Sequence, residues 1–346
     1  MLLRRPTTRA AIAVAALCSA AVAVALGGTA AVERAFPAIA ARDPESFALD
    51  LRRVDLHQHL GPRTVDFAVQ IARLHGIEVL VNLSGGAPGQ GLEEQLAAAS
   101  RHAGRVVTFA NLDLRGCCDE AWGRRAAEGL ARARDLGARG LAVAEAHLAG
   151  AGADAVLDAC ASLGLPVTIE AHDDAPALAG TTLAAVERHP AVTFVAARFA
   201  REAGEPEAAA RLLERYPNLH LDLGASAARL GRVPEAARRV LLAHRGRVLF
   251  ATDVQYVESR EWSGIVLSEG DPILVDAKLL GGKERRLFFE GTLRFLETRD
   301  PAIPSPTPLL QTDDIAGVGL PRDVLRDVYR RNAERLLGLR VPRGAS

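Results

Sequence analysis

Lysine is almost missing from this chain. Among 346 residues only Lys278 and Lys283 occur, so arginine supplies nearly all of the 42 basic side chains. An equal number of acidic residues brings the net charge to zero, which points away from a nucleic-acid binder and from a membrane-surface binder. Cysteine is scarce as well. Cys18 lies near the N-terminus, and Cys117, Cys118 and Cys160 form an odd, sparse set that excludes a disulfide framework. Adjacent cysteines rarely bridge each other, so Cys117 and Cys118 read as small buried or loop residues. No zinc-knuckle spacing occurs. No glycine-rich phosphate loop follows the first apolar run, which disfavours an open nucleotide-binding sheet.

Long hydrophobic runs are also lacking. The uncharged stretch Ala10–Leu26 has 17 residues and is rich in alanine, marginal for a stable membrane span. It follows Arg4, Arg5 and Arg9 and precedes the small residues "GGTAA", the order of an export signal with its cleavage site. Residues 1–30 are therefore expected to be a signal peptide or an N-terminal anchor, and residues 31–50 a leader. The mature protein is expected in the periplasm or outside the cell, with no membrane contact beyond this segment.

What the chain does contain is a recurring unit from residue 51 to 340. A β-branched run is followed by a turn and an Ala/Leu/Arg helix closed by Gly or Pro. The runs are "RRVDLH", "IEVLVNL", "RVVTFAN", "RGLAVAE", "LPVTIEA", "VTFVAAR", "LHLDLG" and "RVLFATD", with centres 25 to 35 residues apart. Strands alternating with helices at this interval mean βα units and a parallel sheet. Eight of them predict a (β/α)8 TIM-like barrel. Three further segments break the rhythm: a long loop over 255–282, a helix from about Lys283 to Glu297, and a proline-rich linker. A last helix, "GLPRDVLRDVYRRNAERLLGL", is expected to dock on the barrel.

In such a barrel the strand C-termini carry the chemistry. The first run ends in "HQH", and residues i and i+2 of a strand share a face, so His57 and His59 converge on one point. The other strand ends offer Asn82, Asn111 with Asp113, Glu145, Glu170 with His172, Arg198, Asp222 and Asp253. Each has a bland alternative. The histidine pair could cap a turn, Asp253 could cap the segment after its strand, and Glu170 could simply pair with Arg198. His172, Glu145 and His147 are reserve candidates that read as rim residues. Asp222 points to the barrel mouth by position. His75, His102, His189, His220 and His244 read as structural.

"VDLHQH", "ERHPAVTFVAA", "VLFATD" and "VYRRNAERLLGL" together resemble the amidohydrolase superfamily, nearest to its group of the aminocarboxymuconate-semialdehyde decarboxylase type. The resemblance runs from about residue 52 to 339. It implies a divalent metal, zinc first, held by His57, His59 and Asp253, with Asp253 also shuttling the proton of a metal-activated water. Two positions depart from the family pattern: Glu170 stands where the fifth-strand histidine belongs, and Arg198 where a sixth-strand histidine often does. The carboxylated lysine of binuclear members is excluded, because no lysine precedes Lys278.

Two readings stay open at this point. In one, Glu170 is an oxygen ligand beside His57, His59 and Asp253, as zinc accepts. Arg198 then clamps an anionic group of a small-molecule substrate for hydrolysis, or for non-oxidative decarboxylation. In the other, the metal is gone and Arg198 lies between Glu170 and Asp253 in a barrel that only binds a small ligand. An arginine ~5 Å from a dication is opposed by about 6 kcal/mol at an effective dielectric of 20.

Overall fold

The computed structural model describes residues 51–170, 180–199, 206–258, 263–268, 272–276, 283–307 and 313–339. The expected export segment, the leader and His172 lie outside the described residues. Each apolar run forms a strand: β1 (Arg53–Leu60), β2 (Ile77–Asn82), β3 (Val106–Thr108), β4 (Leu141–Ala144), β5 (Val167–Glu170), β6 (Phe194–Ala196), β7 (Leu219–Asp222) and β8 (Val248–Leu249). The helices between them are α1 (Val65–Leu74), α2 (Leu92–Ser100), α3 (Glu120–Leu136), α4 (Ala153–Leu163), α5 (Gly180–Arg188), α6 (Pro206–Arg215), the short α7 (Ala227–Leu230) and α8 (Pro234–Ala243). Their ends follow the turn chemistry of the sequence. Asp119 caps α3 by accepting from the Trp122 amide, and α4 closes at Gly164 with φ of 65°.

All pairings among β1 to β8 are parallel, as the alternation of strands and helices requires. The continuous eight-strand ring expected from the sequence is not formed. The strands divide into two sheets, one holding β1, β2 and β3 and the other β4 to β8. The reason is strand length: β3 has three residues and β8 two, too few to carry a full ladder on both edges. Individual backbone bonds span the two seams instead. Ala110 and Ala142 donate to Gly140 and Ala110 at 2.8 and 2.9 Å, and Leu56 donates to Phe250 at 3.0 Å.

The described residues of the long loop expected over 255–282 are sheet. Strands β9 (Val254–Glu258), β10 (Ser263–Ser268) and β11 (Pro272–Asp276) continue the first sheet, β9 lying parallel to β1 and the next two antiparallel. "VQYVE", "SGIVLS" and "PILVD" are β-branched runs too short to stand out beside a barrel period.

The packing has two layers. Val54, Leu56, Val79, Val81, Val107, Phe109, Ala142, Val195 and Leu249 form one cluster, inside the curve of the sheets. A larger cluster lies between the sheets and the surrounding helices. The C-terminal segment closes the inner cluster: α10 (Arg322–Arg326), a π-helical turn (Asp327–Arg331) and α11 (Asn332–Leu337) place Ala333 and Leu337 in it. Buried Asn332 donates to the carbonyls of Arg245 and Val248 at 2.7 and 2.6 Å, and the Val328 carbonyl accepts from Phe250 at 2.9 Å. A helical carbonyl turned to a strand is a reason for the π turn at that point. The helix Lys283–Glu297, here α9, forms as expected.

Cys117 and Cys118 lie in the loop before α3, while Cys160 is a buried free thiol with its pKa pushed up to about 12 by burial.

Candidate active site

The site begins with an irregularity in β1. Three steps along β1, from Asp55 to Gln58, match two along β2, from Leu80 to Asn82. This extra residue is a bulge, and it changes which side chains face inward. Below it Val54 and Leu56 belong to the inner cluster; above it His57 and His59 face the same hollow. Asp55 holds the bulge. It is fully buried and accepts from the amides of His57 and Thr252 at 3.2 and 3.0 Å, from Gln58 Nε2 at 2.6 Å and from Thr252 Oγ1 at 2.6 Å. Burial pushes its pKa up to about 7 against the opposing pull of those hydrogen bonds. Asp55 thus ties the histidine strand to the segment that carries Asp253.

Four side chains from three chain segments converge above the bulge. His57 Nε2 lies 3.2 Å from each of three atoms: His59 Nε2, Glu170 Oε1 and Asp253 Oδ1. His59 Nε2 lies 3.3 Å from Glu170 Oε1 and 3.6 Å from Asp253 Oδ1. A single N–H on His57 can satisfy only one of three neighbours, so hydrogen bonding alone does not account for the arrangement. Ligands about 2.0–2.2 Å from a tetrahedral zinc ion stand about 3.3–3.6 Å apart, the range of these separations. His57, His59 and Asp253 form a compact donor group. Asp253 Oδ1 is buried and, among the described residues, has no partner besides the two imidazole nitrogens that face it. An orphaned carboxylate oxygen in a dry site is costly without a cation or donor. The residues present fit a divalent ion.

The far sides of both imidazoles are anchored. His57 Nδ1 is 3.0 Å from Asp222 Oδ2, and His59 Nδ1 is 2.8 Å from Ser84 Oγ. A carboxylate only accepts, so Asp222 keeps a proton on His57 Nδ1 and leaves Nε2 as the nitrogen that faces the hollow.

Arg198 closes one side. Its Nε donates to Asp253 Oδ2 at 2.7 Å, the carboxylate oxygen turned away from the imidazoles. The residue has φ of 57° and ψ of 37°, a left-handed backbone that arginine rarely adopts. Its amide donates to Asp222 Oδ1 at 2.8 Å and its carbonyl accepts from Arg229 at 3.0 Å. Among the described residues, the non-glycine positions with positive φ are Arg198, Phe199, Ala225 and Asp253, all just beyond β6, β7 and β8. Such conformations cost roughly 1–3 kcal/mol each and persist where surrounding bonds over-determine them.

The electrostatics follow from a count. Among the described residues, three carboxylates (Glu170, Asp222 and Asp253) face one guanidinium. Burial lowers the His57 pKa, but the charges of Asp253 and Asp222 outweigh it and leave the imidazole well above its ordinary value. His59 is raised the same way, burial being outweighed by its bonds to Asp253 and Glu170. Burial would raise Glu170 and Asp253, yet the two histidines hold both below the usual carboxylate range, with Arg198 adding to the effect on Asp253. The hollow draws in positive charge, as protons or as metal.

The structure therefore brings together all five residues expected from the sequence: His57, His59, Glu170, Arg198 and Asp253. The alternative pairing of Glu170 with Arg198 is replaced by contacts with both imidazoles. Glu145 is buried and His147 half-buried on the turn after β4, and neither joins the donor group. The histidines read as structural lie elsewhere: His75 stacks on Phe289, His102 meets Asp66, and His189 meets Asp154. Asp55 and Ser84 were not legible as site residues. The available signal for Asp55 was a lone carboxylate inside the apolar run "RRVDLH".

Comparisons with known proteins agree with this fold. The chain resembles a probable 2-pyrone-4,6-dicarboxylic acid hydrolase from Acinetobacter baumannii, solved with citric acid bound. The identity is 11%, the TM-score 0.51, and the match covers 83% of this chain and 100% of that one. It also resembles an uncharacterised TIM-barrel protein from Bordetella bronchiseptica, with 13% identity, a TM-score of 0.51, and coverage of 83% and 99%. At these identities the likeness concerns the fold. No curated protein matches the chain. The model of the family described as amidohydrolase matches residues 90–339, well over half of the sequence, and the chain belongs to that family.

Proposed function

We propose that this protein is a metal-dependent hydrolase of the amidohydrolase type that acts on a small anionic substrate. The ion, zinc first, would be held by His57, His59 and Asp253, with Glu170 as an additional oxygen ligand. The observation that carries this reading is Asp253 Oδ1, buried and faced, among the described residues, by two imidazole nitrogens at 3.2 and 3.6 Å and by no other donor. When bound, such an ion supplies Lewis acidity and lowers the pKa of a coordinated water to about 7.

The side chains divide the remaining work. Asp222 and Ser84 orient the imidazoles, so that the Nε2 atoms need no rearrangement to donate their lone pairs. Asp253 would accept the proton of the attacking water and return it to the leaving group. Arg198 holds Oδ2 and so keeps this carboxylate ionised and ready to accept. Its guanidinium also brings a fixed positive charge to the edge of the site, suited to a carboxylate on the substrate. The citric acid in the Acinetobacter neighbour is a small polyanion of that kind.

The bond between Arg198 and Asp253 also favours a second reading, a metal-free barrel that binds a small ligand. In that reading the three carboxylates are balanced by Arg198 and by protons on His57 and His59, so charge alone does not choose between the two. Elemental analysis decides between them. Purified protein should carry close to one equivalent of zinc or manganese, and His57→Ala should strip it. Protein that arrives without metal and gains no thermal stability in excess zinc would leave only the ligand-binding reading; binding at 100 times Kd adds about 2.7 kcal/mol. Hydrolysis and non-oxidative decarboxylation are separated by whether carbon dioxide appears in the products. The reading includes export, on the order of segments within residues 1–30, and N-terminal sequencing of protein recovered outside the cytoplasm checks it.

A further inference from the structure

We infer that Asp222 is a positioning residue that fixes, through one carboxylate, which nitrogen of His57 faces the hollow and how Arg198 is aimed. The inference rests on the metal reading for its affinity arm, while its tautomer arm stands without a metal. Asp222 ends β7 and is fully buried. Its Oδ2 meets His57 Nδ1 at 3.0 Å. Its Oδ1 accepts two backbone amides, Arg198 at 2.8 Å and Gly224 at 2.9 Å. Three chain segments therefore meet on a single side chain: β1, the turn after β6, and the turn after β7.

The approach is close enough to require glycine. A Cβ on Gly224 would stand 2.9 Å from Asp222 Oδ1, 3.1 Å from Asp253 Cβ and 3.2 Å from His57 Nδ1. The first separation is shorter than real Cβ contacts, and Asp222 Oδ1 is held where it is by the Arg198 amide. The backbone here is shaped around the carboxylate.

The two roles can be separated by one isosteric change. In Asp222→Asn, the two amides of Arg198 and Gly224 both donate, so they hold the amide oxygen in the place of Oδ1. The NH2 group must then face His57. A donor there requires His57 Nδ1 to lose its proton, and a neutral ring must carry it on Nε2, pointing into the hollow. The aim of Arg198 is kept while the lone pair offered to a metal is lost. A merely structural carboxylate would not produce that inversion.

The test uses the wild type and Asp222→Asn, each in metal-free form and then titrated with zinc against a competing chelator. Long-range proton–nitrogen NMR of the His57 ring is recorded alongside, at a pH high enough for the ring to be neutral, so that a proton on one nitrogen reports the tautomer. The expected result is a protonated Nδ1 in the wild type, a bare Nδ1 in the variant, and zinc affinity about ten- to a hundredfold weaker in the variant. Zinc affinity within twofold of wild type, or a variant ring still protonated on Nδ1, overturns the inference. A wild type that takes no zinc sinks the proposed function, and Asp222 is then judged on the ring protons alone. If the variant fails to fold, the wild-type ring decides: protonation on Nε2 alone overturns the inference and protonation on Nδ1 supports it.

Discussion

The two ends of the sheets both bury charge, and they do it differently. At the base, Arg53 is fully buried; its Nη2 donates to Glu297 Oε1 at 2.9 Å and its guanidinium lies 4.5 Å from the Tyr329 ring centre. The Tyr329 hydroxyl donates to the same Glu297 oxygen at 2.7 Å. Among the described residues a cation meets an anion here, and the three residues come from β1, α9 and the C-terminal helical segment. At the strand tops, among the described residues, three carboxylates meet one guanidinium, two imidazoles carry elevated pKa values, and one carboxylate oxygen has no partner besides those imidazoles. The balanced cluster ties segments together. The one at the tops takes its balancing charge as protons on His57 and His59 in metal-free protein.

Breaking the base should give the largest effect. Glu297→Ala leaves a buried arginine without its anion and is expected to cost about 3–5 kcal/mol of stability, read by chemical denaturation. Zinc affinity of the folded fraction should not change. A variant that melts like wild type would show that the base is not the tie described here.

Acidity should give the next effect, and only at the top. In metal-free protein the folded-state pKa values of His57 and His59 lie above the ordinary imidazole value. The stabilisation they gain from the carboxylates is fully present below pH 6.5 and fades as pH rises through the elevated values. A metal must displace those protons. Apparent zinc affinity should therefore climb with pH by about tenfold per unit for each displaced proton. An affinity flat from pH 6 to 9 would contradict the charge count.

A smaller effect separates the clusters directly. Glu170→Gln removes one of three carboxylates, so metal-free stability should shift by no more than about 1 kcal/mol. Zinc affinity should drop by about tenfold, measured by chelator competition. Smallest of all, Ser84→Ala frees His59 Nδ1 at the edge of the site and should weaken zinc by only a fewfold, roughly 0.5–1 kcal/mol for one neutral hydrogen bond.

The site was legible in the sequence to an uneven degree. His57 and His59 were readable because a spacing of two is meaningful on a strand, and Asp253 because it ends the eighth run. Glu170 and Arg198 were readable as positions, but which partner each faces was not. Glu170 turns to the imidazoles and Arg198 to Asp253, a choice made by β5 and β6 lying side by side with their ends at different heights. Asp55 was hidden, since its partner Thr252 is 197 positions away. The bulge at Asp55–Gln58 was hidden too, because an extra residue in a strand appears only against its neighbour's register.

The wider fold shows the same division. Residue pattern by itself determined the alternation of eight strands with helices, their parallel pairing, the helix Lys283–Glu297 and the lack of any lysine before Lys278 to bridge two metals. Those are local periodicities and composition, and they survive in any arrangement of the chain. The tertiary structure alone decided that the strands part into two sheets, that 254–276 adds three more strands, and that one carboxylate at Asp222 serves both His57 and Arg198. Such outcomes depend on which distant segments come to share a hydrogen bond, and that is set by packing in three dimensions.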